Sequence, residues 1–149
     1  MSVTPYAPTL EMLSDATDKL RLYGIEPKLA IIPTSEFQST LMLQAPLHPL
    51  KLYTLASKHD LFDLASSISP YLLSFPIETL TDAAASSIGP IYLSRLFTLQ
   101  CRRLDTLKRL LATGPHIHPP TPSCDFYAQG SVAKAWSLAS AYLIWQARP

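Results

Sequence analysis

An all-α fold, an irregular array of six to eight helices with one long central helix, is predicted by three observations in this 149-residue chain. Leucine and its apolar companions recur every three or four residues, the period of a helix with one buried face. No stretch of four or more residues alternates convincingly between apolar and polar, so no strand is expected. Helix-starting residues precede the periodic runs, and Gly or Pro follows them.

Thr9 is placed to cap a first helix whose Leu10, Leu13, Thr17 and Leu20 share one face, with Asp15 and Lys19 four apart on the outside. Gly24 ends it, and Glu26-Pro27 opens a short second helix that Pro33 closes. A third is read over 36–43. Pro49 starts a helix running to about His59 with Leu52, Leu55 and Ala56 inward, and Asp60 is expected to cap the next one. Pro70 falls inside that next pattern and predicts a break near Ser69. A short helix fits 81–87, closed by Gly89-Pro90.

The clearest element is 90–112, where Leu93, Leu96, Phe97, Gln100, Leu104, Leu107 and Leu111 form one stripe and Gly114 ends it. Residues 113–130 then lose all period, and Pro115, Pro119, Pro120 and Pro122 give them polyproline character. Ser131 is expected to cap a last helix in which Val132, Trp136, Ala139 and Leu143 share a face, docked through Trp136 and Trp145. The organisation expected is therefore a tail over 1–8, a helical domain over 9–112, a connector over 113–130 and a docked helix over 131–149.

Composition narrows the function. Hydrophobic residues make up 48%, a folding composition, and the net charge is only +1, without the strongly basic balance of a dedicated nucleic-acid binder. Charged residues are 15%, fewer than soluble domains usually carry, which suggests that a partner covers part of the surface. Cys101 and Cys124 do not make a disulfide framework. The longest purely apolar run, 141–145, is far short of the ~20 residues that span a bilayer, and the N-terminus has no signal-peptide pattern. Cytosol or nucleus is the expected location, without a membrane partner.

Four chemistries are open to these residue types. The glycines Gly24, Gly89, Gly114 and Gly130 are isolated at helix boundaries and build no phosphate-cradling loop. His116, His118, Cys124 and Cys101 are ligand types suited to tetrahedral zinc, yet His-x-His with a lone cysteine beyond it lacks the paired spacing of a structural site; no metal or cofactor is expected. No nucleophile, base and orienting group share a local signature: His59-Asp60 reads as a helix junction and Cys101 as a small buried hydrophobe, so no enzyme is expected. Arg95, Arg102 and Arg109 recur every seven residues beside Arg103 and Lys108, with Asp105 within pairing reach. That stripe suits an acidic partner or nucleic acid, and equally a solvated helix face.

Several segments resemble the C-terminal part of fungal BTB/POZ proteins. The run LSDATDKL (13–20) with YGIE (23–26) is similar to the helix pair that closes a BTB domain. PLKLYTLASK (49–58) resembles the helix that follows it, and YLSRLF (92–97) with Cys101-Arg102-Arg103 a later one. The resemblance implies the last BTB helices followed by a BACK-like helical extension, in a family that self-associates and recruits protein partners, as cullin-ligase adaptors or transcription regulators, without catalytic residues. Nothing here matches the strands and first helix of a BTB core, so a truncated member or a piece of a longer product is expected. A face of the first helix that packs on such a core would then stand open. Leu10, Met12, Leu13 and Ala16 become candidate partner-binding residues, with Arg95, Arg102 and Arg109 as the second set. The partner expected is a protein, a second copy included; a small nucleic-acid-binding protein using the arginine stripe is the alternative.

Overall fold

The computed structural model describes residues 8–147, so all of the expected tail except Pro8 lies outside the described residues. The fold is all-α. Among the described residues eight α-helices follow one another: α1 (Leu10–Leu20), α2 (Pro27–Ala30), α3 (Glu36–Met42), α4 (Pro49–Lys58), α5 (Phe62–Ile68), α6 (Asp82–Ile88), α7 (Pro90–Ala112) and α8 (Phe126–Gln146). Among the described residues there is no strand, only an isolated bridge between Thr121 and Cys124. The chain divides into two compact units, Met1–Phe97 and Thr98–Pro149, and α7 runs through the division.

Local chemistry sets most helix ends in the first unit. Thr9, Ser35 and Thr81 accept from the backbone N–H three residues on, capping α1, α3 and α6. Pro27 and Pro49 occupy first-turn positions, where a missing N–H costs nothing. Pro70 ends α5 at Ile68 and turns the chain into a 3-10 segment, Ser69–Leu72.

Asp60 departs from expectation. It does not cap α5, which starts at Phe62 with no side-chain cap. Asp60 instead ends α4: its φ is 53°, Leu61 N bonds Ala56 O at 2.8 Å and Asp60 N bonds Ser57 O at 3.1 Å, a Schellman arrangement. Gly24, with φ 73°, closes α1 and its 3-10 extension by the same pair of bonds, to Leu20 O and Arg21 O. Asp serves at the second position because its short polar side chain tolerates the left-handed region.

The core of this unit is built around α4, packed on α5, α6 and the Ser69–Leu72 turn. Leu41, Leu52, Leu64, Ile68, Leu72 and Leu96 are fully buried, each contributing about 1.5–3 kcal/mol of transfer free energy. Leu10 and Leu13 of α1 belong to the same cluster.

Along α7 the buried line is Tyr92, Leu96, Gln100 and Leu104, with Leu93, Leu107 and Leu111 half-buried at its margins. Phe97, expected inward, is 45% exposed, and Cys101 is exposed rather than a small core residue. Each lies about 100° round the helix from a buried neighbour, Leu96 or Gln100.

In the second unit α8 begins at Phe126, five residues before the expected Ser131. Asp125 caps it, accepting from Ala128 N at 2.8 Å, and Ser131 merely donates to Tyr127 O within the second turn. The connector is correspondingly shorter at its C-terminal end. It is tied to α8 by Gln129, which donates to His118 O at 3.0 Å. The expected burial of Val132, Trp136 and Leu143 does not occur: all three are exposed, Trp145 is more so, and Ser140 is the residue of α8 that is buried. Docking reduces to an edge, where Trp136 Nε1 donates to Leu111 O at 3.1 Å.

Candidate interaction groove

An open groove of about 600 Å³ lies between α1, α4 and α6 of the first unit. Leu10 and the α4 residues Leu50 and Leu55 give its apolar floor, with Lys51 and Thr54 of α4 beside them, and α6 contributes Ala83, Ala84 and Ser87 as its second wall. These small side chains follow from the run Ala-Ala-Ala-Ser-Ser (83–87) that makes up the middle of α6. α1 supplies the opposite wall through Glu11, Ser14, Asp15 and Asp18, spaced three or four residues apart on one helix side.

That wall is acidic. Asp15 is paired with Lys19 at 2.6 Å, both exposed. Asp18 accepts from Lys58 Nζ at 2.7 Å and lies 2.7 Å from Nε2 of His59, whose side chain is 4% exposed. Partial burial works to raise the Asp18 carboxyl, but the hydrogen bonds and charges of Lys58 and His59 prevail and hold it below the ordinary carboxylate value. Glu11 is also held low, first by its own backbone amide in the first turn of α1 and then by Thr9, against a small desolvation, with Lys51 and His48 adding at longer range. Glu11 and Asp18 therefore stay ionised at neutral pH.

Of the residues marked for partner binding on α1, Leu10 and Leu13 are buried in the chain's own core and are not an open apolar face. Leu10 touches the groove only as floor. Met12 and Ala16 are exposed, on other sides of the helix. The correction has a simple cause: α4 and its neighbours occupy the face of α1 that a missing sheet was expected to leave open.

The arginine stripe is also divided. Arg95 stands in the first unit, its guanidinium 4.8 Å from the ring centroids of both Phe62 and Tyr92, so its charge is spent on local stacking. Arg102 and Arg109 are in the second unit and line a shallow hollow with Asp105 and Lys108. Among the described residues Asp105 closes no ion pair with either arginine; Arg109 reaches Thr106 Oγ1 at 3.4 Å.

His116, His118 and Cys124 do line one small hollow beside Gln129 and Val132. His118 Nδ1 is engaged 2.7 Å from Pro119 O, and among the described residues no three His, Cys, Asp or Glu side chains are placed to hold a metal ion. His59 and Asp60 point to different partners: His59 to Asp18, and Asp60 to Lys28 and Tyr92. Sequence reasoning missed the α6 wall. Its signal was the run of small residues, which acquires meaning only when α1 and α4 stand across from it.

No family model matches the chain, and no curated protein or solved structure matches it either.

Proposed function

We propose that the chain is a non-enzymatic protein-interaction module, akin to the helical part of a BTB-domain adaptor or transcription regulator, and that the α1/α4/α6 groove takes one amphipathic helix of a protein partner. The observation that carries this is the groove's cross-section: a leucine floor, a wall of Ala83, Ala84 and Ser87 low enough to admit a helix, and an acidic wall opposite. Charge specifies the occupant. The first unit has six Lys and Arg against nine Asp and Glu, and the groove is lined by Glu11, Asp15 and Asp18 against Lys51, so the partner helix carries Lys or Arg beside its apolar face.

Selection of helical peptides from a display library on the full chain tests this. Enriched sequences are expected to show apolar residues at i, i+3/i+4 and i+7 flanked by basic ones. Binding of a synthesised winner is expected to fall at least tenfold, about 1.4 kcal/mol, in Ala84→Trp, which fills the groove. Glu11→Lys, an exposed change that spares the core, is expected to weaken it and to flatten its salt dependence. Winners without helical period, or binding indifferent to both variants, would sink the proposal.

A further inference from the structure

The second unit holds a surface that the groove reading does not use. α8 is apolar on more than one side, and its outward side has a regular seam. Tyr127, Ser131, Lys134, Leu138, Ala141 and Trp145 succeed one another by steps of four and three, the spacing at which one helix meets another along its length. All six are exposed, Tyr127 at 84%, Leu138 at 67% and Trp145 at 83%. Trp136, the residue that ties α8 to Leu111, lies about 200° round the helix from Leu138, so intramolecular docking uses the opposite side.

We infer that this seam is the interface of a homodimer, in which α8 packs antiparallel against α8 of a second copy. The sequence of the seam is complementary to its own reverse. Run antiparallel, it sets Tyr127 against Trp145, Ser131 against Ala141 and Lys134 against Leu138, each contact made twice about a two-fold axis. The small pair allows the backbones to approach, and the aromatic pairs close both ends. A parallel pair instead puts Lys134 on Lys134 inside an apolar seam and aligns the two helix dipoles; the antiparallel pair staggers the ammonium groups by about one turn, and each leaves along the aliphatic surface of the other copy's Leu138. Lys134 is the single Lys, Arg, Asp or Glu of α8, so it sets register at a cost in affinity.

The area agrees with a dimer of this kind. Tyr127, Leu138, Tyr142 and Trp145 of both copies, covered along a seam about 27 Å long, bury roughly 1,000 Å² in total, the low end for a specific interface. A dissociation constant on the order of 10 μM is expected.

The test uses the full chain with Cys101→Ser and Cys124→Ser, so that introduced thiols are the reactive ones. Sedimentation equilibrium is expected to show a monomer–dimer equilibrium, weakened at least tenfold by Trp145→Ala and tightened at least tenfold by Lys134→Leu, with helical content unchanged in both because these side chains are exposed. Mild oxidation of a mixture of Ser131→Cys and Ala141→Cys copies is expected to give a disulfide-linked dimer that Ser131→Cys copies alone do not form. A monomer at about 100 μM overturns the inference. So does cross-linking of Ser131→Cys copies to one another, which marks a parallel pair, or a dimer unaffected by both seam variants. The groove variant Ala84→Trp leaves this dimer intact, so either proposal can fail alone.

Discussion

The Tyr92 hydroxyl donates a 2.9 Å hydrogen bond to Oδ1 of Asp60, thirty-two residues earlier and in the left-handed backbone region, while the other carboxylate oxygen accepts from Lys28 Nζ. One side chain thus closes α4, fixes the start of α7 and anchors α2. The backbone position asks for Gly, Asn or Asp, and the hydrogen bond narrows the choice to an acceptor. Asp60→Asn keeps both properties and loses only an exposed ion pair, so its urea midpoint is expected to stay close to that of the native chain. Asp60→Ala loses the acceptor and strains the backbone, and its urea midpoint is expected to fall clearly below that of Asp60→Asn. Equal losses in the two variants would show that the hydrogen bond contributes nothing.

The same contact makes stability depend on pH at the alkaline end. Burial, followed by the hydrogen bond to Asp60 and its negative charge, pushes the Tyr92 phenol up to about 12 from an ordinary value of 10.0. The folded pKa is raised, so the neutral phenol stabilises fully below pH 10, and that contribution is lost as pH rises from about 10 to 12. The urea midpoint of the native chain is therefore expected to fall faster than that of Tyr92→Phe over this window. Parallel slopes would mean that Tyr92 titrates like an exposed phenol.

Asp18 works at the other end of the scale. Its folded pKa is lowered, so its contribution is present above the unfolded value near 4 and disappears as pH falls through the depressed folded value. Asp18→Asn is expected to be less stable than the native chain by about 1 kcal/mol between pH 5 and 7, and the gap is expected to close below about pH 4. A gap that survives at pH 2.5 would assign the loss to packing instead of charge.

How far the fold was legible follows from the range over which each signal acts. Thr9, Thr81, Pro49, Gly24 and Pro70 act within one helical turn, and the elements they bound stand within a residue or two of expectation. Asp60 and Ser131 misled because a residue suited to capping does other work at other positions: Asp60 ends a helix, and Ser131 sits inside one. Period reveals which residues share a face but not which face meets the core when a helix is apolar on several sides. Phe97 and Trp145 accordingly lie outside, and the buried line of α7 passes through Tyr92. The groove was least legible of all, since α1, α4 and α6 meet there from separate stretches and none carries its signature alone.

The start of α8 can be settled by adding one methyl group. Gly130 lies inside α8 without the positive φ of Gly24 and Gly89, and a Cβ built there meets nothing within 4 Å. Gly in a helix interior is about 0.5–1 kcal/mol worse than Ala, mainly through backbone entropy in the unfolded chain. Gly130→Ala is therefore expected to raise unfolding stability by that amount, and Asp125→Ala, which removes the cap, to lower it by about 1 kcal/mol. Gly24→Ala meets equally open space but has φ 73°, and it is expected to destabilise by about 1 kcal/mol. The pair separates conformation from crowding, since neither position offers a clash. If Gly130→Ala is neutral and Asp125→Ala costs nothing, the helix begins after Gly130, and the five residues from Phe126 to Gly130 belong to the connector.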